Sequence, residues 1–245
     1  MQIDVTNLTI DKYLNIREEV DCYLQEMRKR PTQFDLLSKE EQEKVLENAN
    51  LVMKKSILIE PNISNDLINL VNQIGGTLVG FKHRIKGLES LKRKIIADSR
   101  ELISESKYRD AAMSLGDGVR YTIVLDDLEY VEKADLFLHE LENLGYKIVD
   151  FKNNWGKPFY QGFNIRISCP LDIGVFELQF HTPYGHQIKE GSTRDLYQVV
   201  RDEYKGEGAL ETKRKANILR QYFQKTVNIP PNALYYEFKT NTKMM

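Results

Sequence analysis

The side chains most able to do chemistry in this chain fall on short segments whose apolar residues alternate. Arg84 and Lys86, Arg120, Asn164 and Arg166, and Glu177 and Gln179 each sit between apolar neighbours. On a strand, period two puts them on one face and the apolar residues on the other. A solvated sheet face has the same pattern on any one strand; its recurrence on several points to an open groove. Residues 82–94 hold Lys82, Arg84, Lys86, Lys92, Arg93 and Lys94 against one acid, Glu89, a local charge of +5. That stretch runs into a predicted helix start, where Ser90 adds a hydroxyl and free backbone N–H groups favour anions. Such a spot suits a polyphosphate. Asp117 ends the loop before one strand, and Glu177 lies on the polar face of another. Two acids brought together across a sheet can hold Mg²⁺ through oxygen ligands, bridging phosphates during transfer. The plainer reading makes Asp117 a turn residue between Gly116 and Gly118. Tyr160, Phe163 and Trp155 offer a stacking surface, worth on the order of 1–3 kcal/mol per nucleobase. Phe163 falls on the apolar side, which leaves Tyr160, at the strand's entrance, as the stacking candidate.

These residues need a scaffold. Residues 12–75 read as helices. Ser38 followed by Glu41 is a capping box, Pro31 and Pro61-Asn62 mark breaks, Ser64 caps a third helix over 66–73, and Gly75-Gly76 ends it. A strand is expected over 77–86, a helix over 88–103 with Leu91, Ile95, Leu102 and Ile103 inward, and a second strand over 118–125. A helix capped by Asp127 runs to Leu144. Three further strands follow at 146–151, 159–168 and 173–181, the last two joined as an antiparallel hairpin by a short connection. Helices continue to about Lys225. The order is irregular rather than a βαβα alternation, which predicts an α+β fold with a mixed, mostly antiparallel sheet flanked by helices. The expected organisation is a helical region at 1–76, a mixed-sheet domain at 77–205, and a C-terminal helix and tail at 206–245.

Composition narrows the field. The chain has 245 residues with Lys+Arg 35 and Asp+Glu 36, a net charge of −1, which excludes a wholesale electrostatic nucleic-acid binder. Hydrophobic residues make up 41%, so the chain can bury a core and is not of disordered type. The two cysteines, Cys22 and Cys169, are far apart, which excludes a disulfide framework or a cysteine zinc site and suits a reducing compartment. No apolar run spans a bilayer, and Met1-Gln2-Ile3-Asp4 lacks a signal-peptide pattern. Phosphate-loop, dinucleotide and nucleophile-elbow motifs are absent, and the four histidines have no metal spacing.

Four blocks together resemble the synthetase domain of the RelA/SpoT alarmone synthetases, over about residues 80–205. They are Arg84-x-Lys86 with Ser90, Leu91 and Lys94; Asp117-Gly118-Val119-Arg120; Tyr160-Gln161-Gly162-Phe163-Asn164; and Glu177-Leu178-Gln179-Phe180-His181-Thr182. The resemblance implies a nucleotidyltransferase-like sheet that moves the β,γ-pyrophosphate of ATP to a ribose 3′-hydroxyl. Arg84, Lys86, Ser90 and Lys94 would grip the ATP phosphates. Asp117 and Glu177 would hold Mg²⁺, with Glu177 also taking the hydroxyl proton beside Arg120 and Gln179. Tyr160, Asn164 and His181 would receive the acceptor. The family's acid five residues before the arginine is Leu115 here, Asn164 stands for a histidine, and His181 stands for an arginine. The wording of the blocks is closer to the single-domain branch that includes toxic small synthetases.

The implied acceptors are GTP, GDP, ADP, ATP or the 3′ end of tRNA, with Lys205, Lys213, Arg214, Lys215 and Arg220 as the basic surface a tRNA requires. A growth-inhibiting toxin acting in the cytoplasm follows from that branch, secretion as an effector remaining open. The helical regions would serve an antitoxin or self-association. The rival reading is a catalytically inactive nucleotide- or RNA-binding module on the same scaffold.

Overall fold

A computed structural model describes residues 8–240; Met1 to Asp4, read above for a signal pattern, lie outside them. Helix α1 spans Ile10–Lys29 and α2 spans Lys39–Ile74. Then follow β1 (Thr77–Val79), α3 (Leu88–Ser99), α4 (Lys107–Ser114), β2 (Arg120–Val124) and α5 (Tyr130–Asn143). The remainder is β3 (Lys147–Asn153), β4 (Phe163–Ser168), β5 (Val175–His181), α6 (Pro183–Glu190), α7 (Arg194–Arg201) and α8 (Ala209–Lys225). The sheet order is β1-β2-β5-β4-β3. Among the described residues β2 and β5 pair in parallel and the other three pairs are antiparallel, including the β4–β5 hairpin. The expected mixed, mostly antiparallel sheet flanked by helices is therefore the architecture found.

The capping box is present. Ser38 Oγ accepts from the Glu41 backbone N–H, and Glu41 accepts from the Ser38 N–H, both at 3.3 Å. Ser38→Ala should lower stability by about 1 kcal/mol in urea unfolding. Glu41 also takes the Tyr108 hydroxyl at 2.8 Å, joining α2 to α4. That bond, with those from Ser38, pulls the Glu41 carboxyl down from 4.5 to about 2. A depressed carboxyl stabilises above its unfolded value. This contribution should be present at neutral pH and lost as pH falls from 4.5 toward about 2, a limb that acid titration of Glu41→Gln should lack.

Several expectations are corrected. Pro61 does not break the chain: α2 runs 36 residues through it, and Ser64 is buried in mid-helix rather than capping a new one. Proline inside a helix costs about 3 kcal/mol. Continuing α2 buries Ile59, Ile63, Leu67, Leu70 and Val71 in the main core, each worth about 1.5–3 kcal/mol, which outweighs that cost. The first strand stops at Val79 because Gly80 turns left-handed, at φ +64°, into a 3-10 turn over Phe81–His83. Helix α3 ends at Ser99, leaving Leu102 and Ile103 exposed instead of inward. The N-cap of α5 is Glu129, not Asp127. Helix α4 had no counterpart in the sequence reading; it buries Tyr108, Ala111 and Ala112 against Val45, Ala49, Leu91 and Ile95.

The core explains where a site can form. The apolar face of the sheet packs on α2 and α5. A second cluster joins α1, α7 and α8, and a third joins the start of α2 with α3 and α4. The polar sheet face is left between them. Among the described residues no helix is long and apolar enough to cross a membrane.

Candidate active site

Backbone pairing brings the sequence blocks side by side. Ile85 bridges Val119; the Lys86 N–H donates to the Gly118 carbonyl at 2.9 Å, and the Arg120 N–H donates to the Arg84 carbonyl at 2.7 Å. The first block thus lies against the second. Parallel pairing places Arg120 beside Glu177, and antiparallel pairing places Asn164 beside Gln179 and Arg166 beside Glu177. The loop before β2 lies close to β4: a Cβ on Gly116 would stand 2.5 Å from Arg166 Nε, so a side chain there would displace the Arg166 guanidinium.

The result is a cavity of about 730 Å³ lined from α3, β2, β4, β5 and α6 to α8. Arg84, Lys86, Ser90, Lys94, Asp117, Arg120, Tyr160, Asn164, Glu177 and Gln179 all line it. His181 does not. It is fully buried, with Nε2 2.9 Å from the Tyr160 hydroxyl and its ring edge-on to the Tyr160 ring at 5.1 Å. Burial, with Lys189 and His186 nearby, holds the His181 imidazole well below its ordinary value. Burial, with Glu177 nearby, raises the Tyr160 phenol well above its own. Both rings are therefore neutral at pH 7.

The basic stretch at 82–94 divides. Lys92 turns away from the cavity, over the Phe34 ring at 3.9 Å. Arg84, Lys86, Arg93 and Lys94 line the cavity. Lys86 pairs with Asp117 Oδ2. Burial lowers the Lys86 pKa more than that carboxylate raises it. Arg84 is anchored at its Nε by Glu60, a buried carboxylate of α2, and its Nη1 donates to the Phe81 carbonyl at 3.0 Å. Trp155, grouped above with the stacking aromatics, is 3% exposed and packs edge-on to Tyr130 in the core, where Phe163 packs at a tilt against the same ring.

The far wall was not anticipated. Lys189 of α6, Arg194, Tyr197 and Arg201 of α7, and Arg220 of α8 line it with Phe159. Arg220 lies between the Phe159 ring at 5.2 Å and the Tyr197 ring at 5.0 Å. The spacing of Arg194, Tyr197 and Arg201 along one helical face was a legible signal. Of the C-terminal basic residues proposed for tRNA, Arg220 lines the cavity. Lys213 donates to the Tyr204 carbonyl, while Arg214 and Lys215 pair with Glu211 and Glu19. Among the described residues nine arginines and lysines line the cavity against four acids, so an otherwise neutral chain encloses an anion-attracting chamber.

For a divalent cation the donors are sparse. Among the described residues no group of three or more His, Cys, Asp or Glu side chains is placed to hold a metal. Mg²⁺ needs less, because one or two carboxylates suffice when phosphates and waters supply the rest. Asp117 Oδ1 is buried with no hydrogen-bond partner among the described residues, a free hard donor on the cavity wall that fits such an ion.

No protein-family model matches this chain, and no curated protein matches it. Solved structures do. The smu.1046c protein of Streptococcus mutans aligns at TM-score 0.46 and 15% identity, covering 71% of this chain and 91% of its own. Small alarmone synthetase 2 of Bacillus subtilis aligns at 0.45 and 16%, over 72% and 94%. Small alarmone synthetase 1 of Bacillus subtilis, bound to its product pppGpp, aligns at 0.41 and 12%, over 72% and 93%.

Proposed function

We propose that this chain is an ATP-dependent pyrophosphotransferase that moves the β,γ-pyrophosphate of ATP to the ribose 3′-hydroxyl of a purine nucleotide. One observation carries the reading: ten residues from four separate sequence blocks, chosen for that chemistry, line a single cationic cavity. Arg84, Lys86, Ser90 and Lys94 bind the donor phosphates, with Ser90 and Lys94 one turn apart on α3. Tyr160, its hydroxyl fixed by His181, stacks on the acceptor base, and Asn164 also lines the cavity. Glu177 accepts the 3′-hydroxyl proton as the oxygen attacks the β-phosphorus, and AMP leaves with the electron pair of the broken α–β bridge. Arg120, adjacent to Glu177 in the ladder, offsets the charge that develops on the transferred group. Mg²⁺, held by Asp117 and Glu177, would supply Lewis-acid charge neutralisation at the phosphates.

A nucleotide acceptor is favoured over tRNA because nine arginines and lysines gather on the chamber, while Lys213, Arg214 and Lys215 outside it are engaged within the protein. The test is incubation with γ-labelled ATP and Mg²⁺ against a panel of GDP, GTP, ADP, ATP and deacylated tRNA. Label is expected on a purine nucleotide with stoichiometric AMP. Label on tRNA alone would move the acceptor to nucleic acid, and none on any acceptor would favour a binding module.

A further inference from the structure

Helix α6 returns the chain to the site. Thr182 caps it, its Oγ1 accepting the Gly185 N–H at 3.1 Å, and Pro183 occupies its first turn. Near its end the Lys189 side chain, 18% exposed, reaches back to β5. Lys189 Nζ donates to Gln179 Oε1 at 2.6 Å, and Gln179 Nε2 donates to Glu177 Oε1 at 2.5 Å. The Gln179 amide is 4% exposed, so both its ends depend on protein partners. An ammonium can only donate. While charged, Lys189 therefore obliges the amide to present its oxygen to α6 and its NH₂ to Glu177.

We propose that Lys189 is a positioning residue that holds the Glu177 carboxylate for proton transfer by orienting Gln179, a role that rests on the pyrophosphotransfer reading above. Loss of the Lys189 charge weakens the hold on the amide oxygen, because a neutral amine is a poorer donor than an ammonium, while the Glu177 carboxylate, which only accepts, still faces the NH₂. The groups facing Lys189 are Glu177 and His181 of β5, Arg120 of β2, and His186 and Glu190 of α6, with Arg194 of α7 3.6 Å from Glu190. Burial lowers the Lys189 pKa, Glu190 opposes this and Arg120 adds to it, bringing the ammonium down to about 8. The hold is strongest below that pH and weakens as pH rises through it.

The test compares wild type, Lys189→Met and Lys189→Arg by labelled-ATP transfer between pH 6 and 10, and by ¹⁵N NMR of the Gln179 side-chain amide, assigned by its loss in Gln179→Glu. In wild type, kcat should fall as pH rises through about 8, and the Gln179 amide should shift with the same midpoint. Lys189→Met should lower kcat about 10-fold or more, with KM for ATP within about twofold, since one orienting hydrogen bond is at stake. Lys189→Arg keeps a donor-only cation that does not titrate in this range. It should retain most of kcat and lose both the alkaline limb and the amide shift. A wild type that transfers label while Lys189→Met keeps its kcat, or while the Gln179 amide is unmoved by pH, overturns this proposal alone. A wild type that transfers no label to any acceptor overturns the pyrophosphotransfer reading and the positioning role with it.

Discussion

Glu177→Gln should lower pyrophosphate transfer by about 10²–10⁴-fold, the span expected for loss of a positioned general base. The substitution keeps size and shape, and its amide oxygen can still accept from Gln179 Nε2, now 2.5 Å from Glu177 Oε1. What it removes is the site for the hydroxyl proton and one negative charge beside Arg120. Glu177 is packed by ladder pairing from β2 and β4 that a side-chain amide does not disturb. Thermal unfolding should therefore match wild type while transfer collapses. A variant retaining a tenth or more of the wild-type rate would remove Glu177 from the chemistry.

Glu60→Ala should destabilise the fold strongly. Glu60 is 6% exposed, and its Oε1 accepts from Arg84 Nε, from Ser64 and, at 3.3 Å, from the Tyr121 hydroxyl. Burial opposes ionisation of this carboxyl, but the bonds from Arg84 and Ser64 outweigh it and keep the pKa below the ordinary value. Removing one partner of a buried pair costs about 3–5 kcal/mol; because Arg84 is 28% exposed, the lower end applies. Urea unfolding measures that loss. Since the carboxyl pKa is depressed, the pair stabilises above pH 4.5 and the contribution fades as pH falls below it, so Glu60→Gln should flatten that acid limb. Freed from Glu60, Arg84 also loses its fixed place on the cavity wall, and KM for ATP should rise. An unchanged unfolding midpoint would show that the pair contributes nothing net.

Much of the site was legible in sequence because its residues lie on strands. Period two assigns a face to Arg120, Asn164, Glu177 and Gln179 without knowledge of partners, and all four line the cavity. Local chemistry also fixed the Ser38–Glu41 cap and the β4–β5 hairpin. Where local rules failed, longer-range packing had overridden them. Pro61 reads as a break until the buried stripe from Ile59 to Val71 is set against it. His181 is an acceptor residue by resemblance, yet it lies fully buried against the Tyr160 hydroxyl and outside the cavity lining.

The types and local order of the chemical groups, and the faces they occupy on each strand, were determined by the sequence alone, because strand geometry repeats every two residues. Which strands are neighbours was decided only in three dimensions. The parallel β2–β5 pair that sets Arg120 beside Glu177 joins segments more than fifty residues apart, and no local pattern encodes that closure. The same holds for Glu60 anchoring Arg84 from α2, and for Lys189 reaching Gln179 from α6. Each is a side-chain contact selected by how the helices pack on the sheet. The net charge of −1 contains no trace of the cationic chamber, because the acids that cancel it lie mostly outside the cavity, on surfaces the fold turns away from the site.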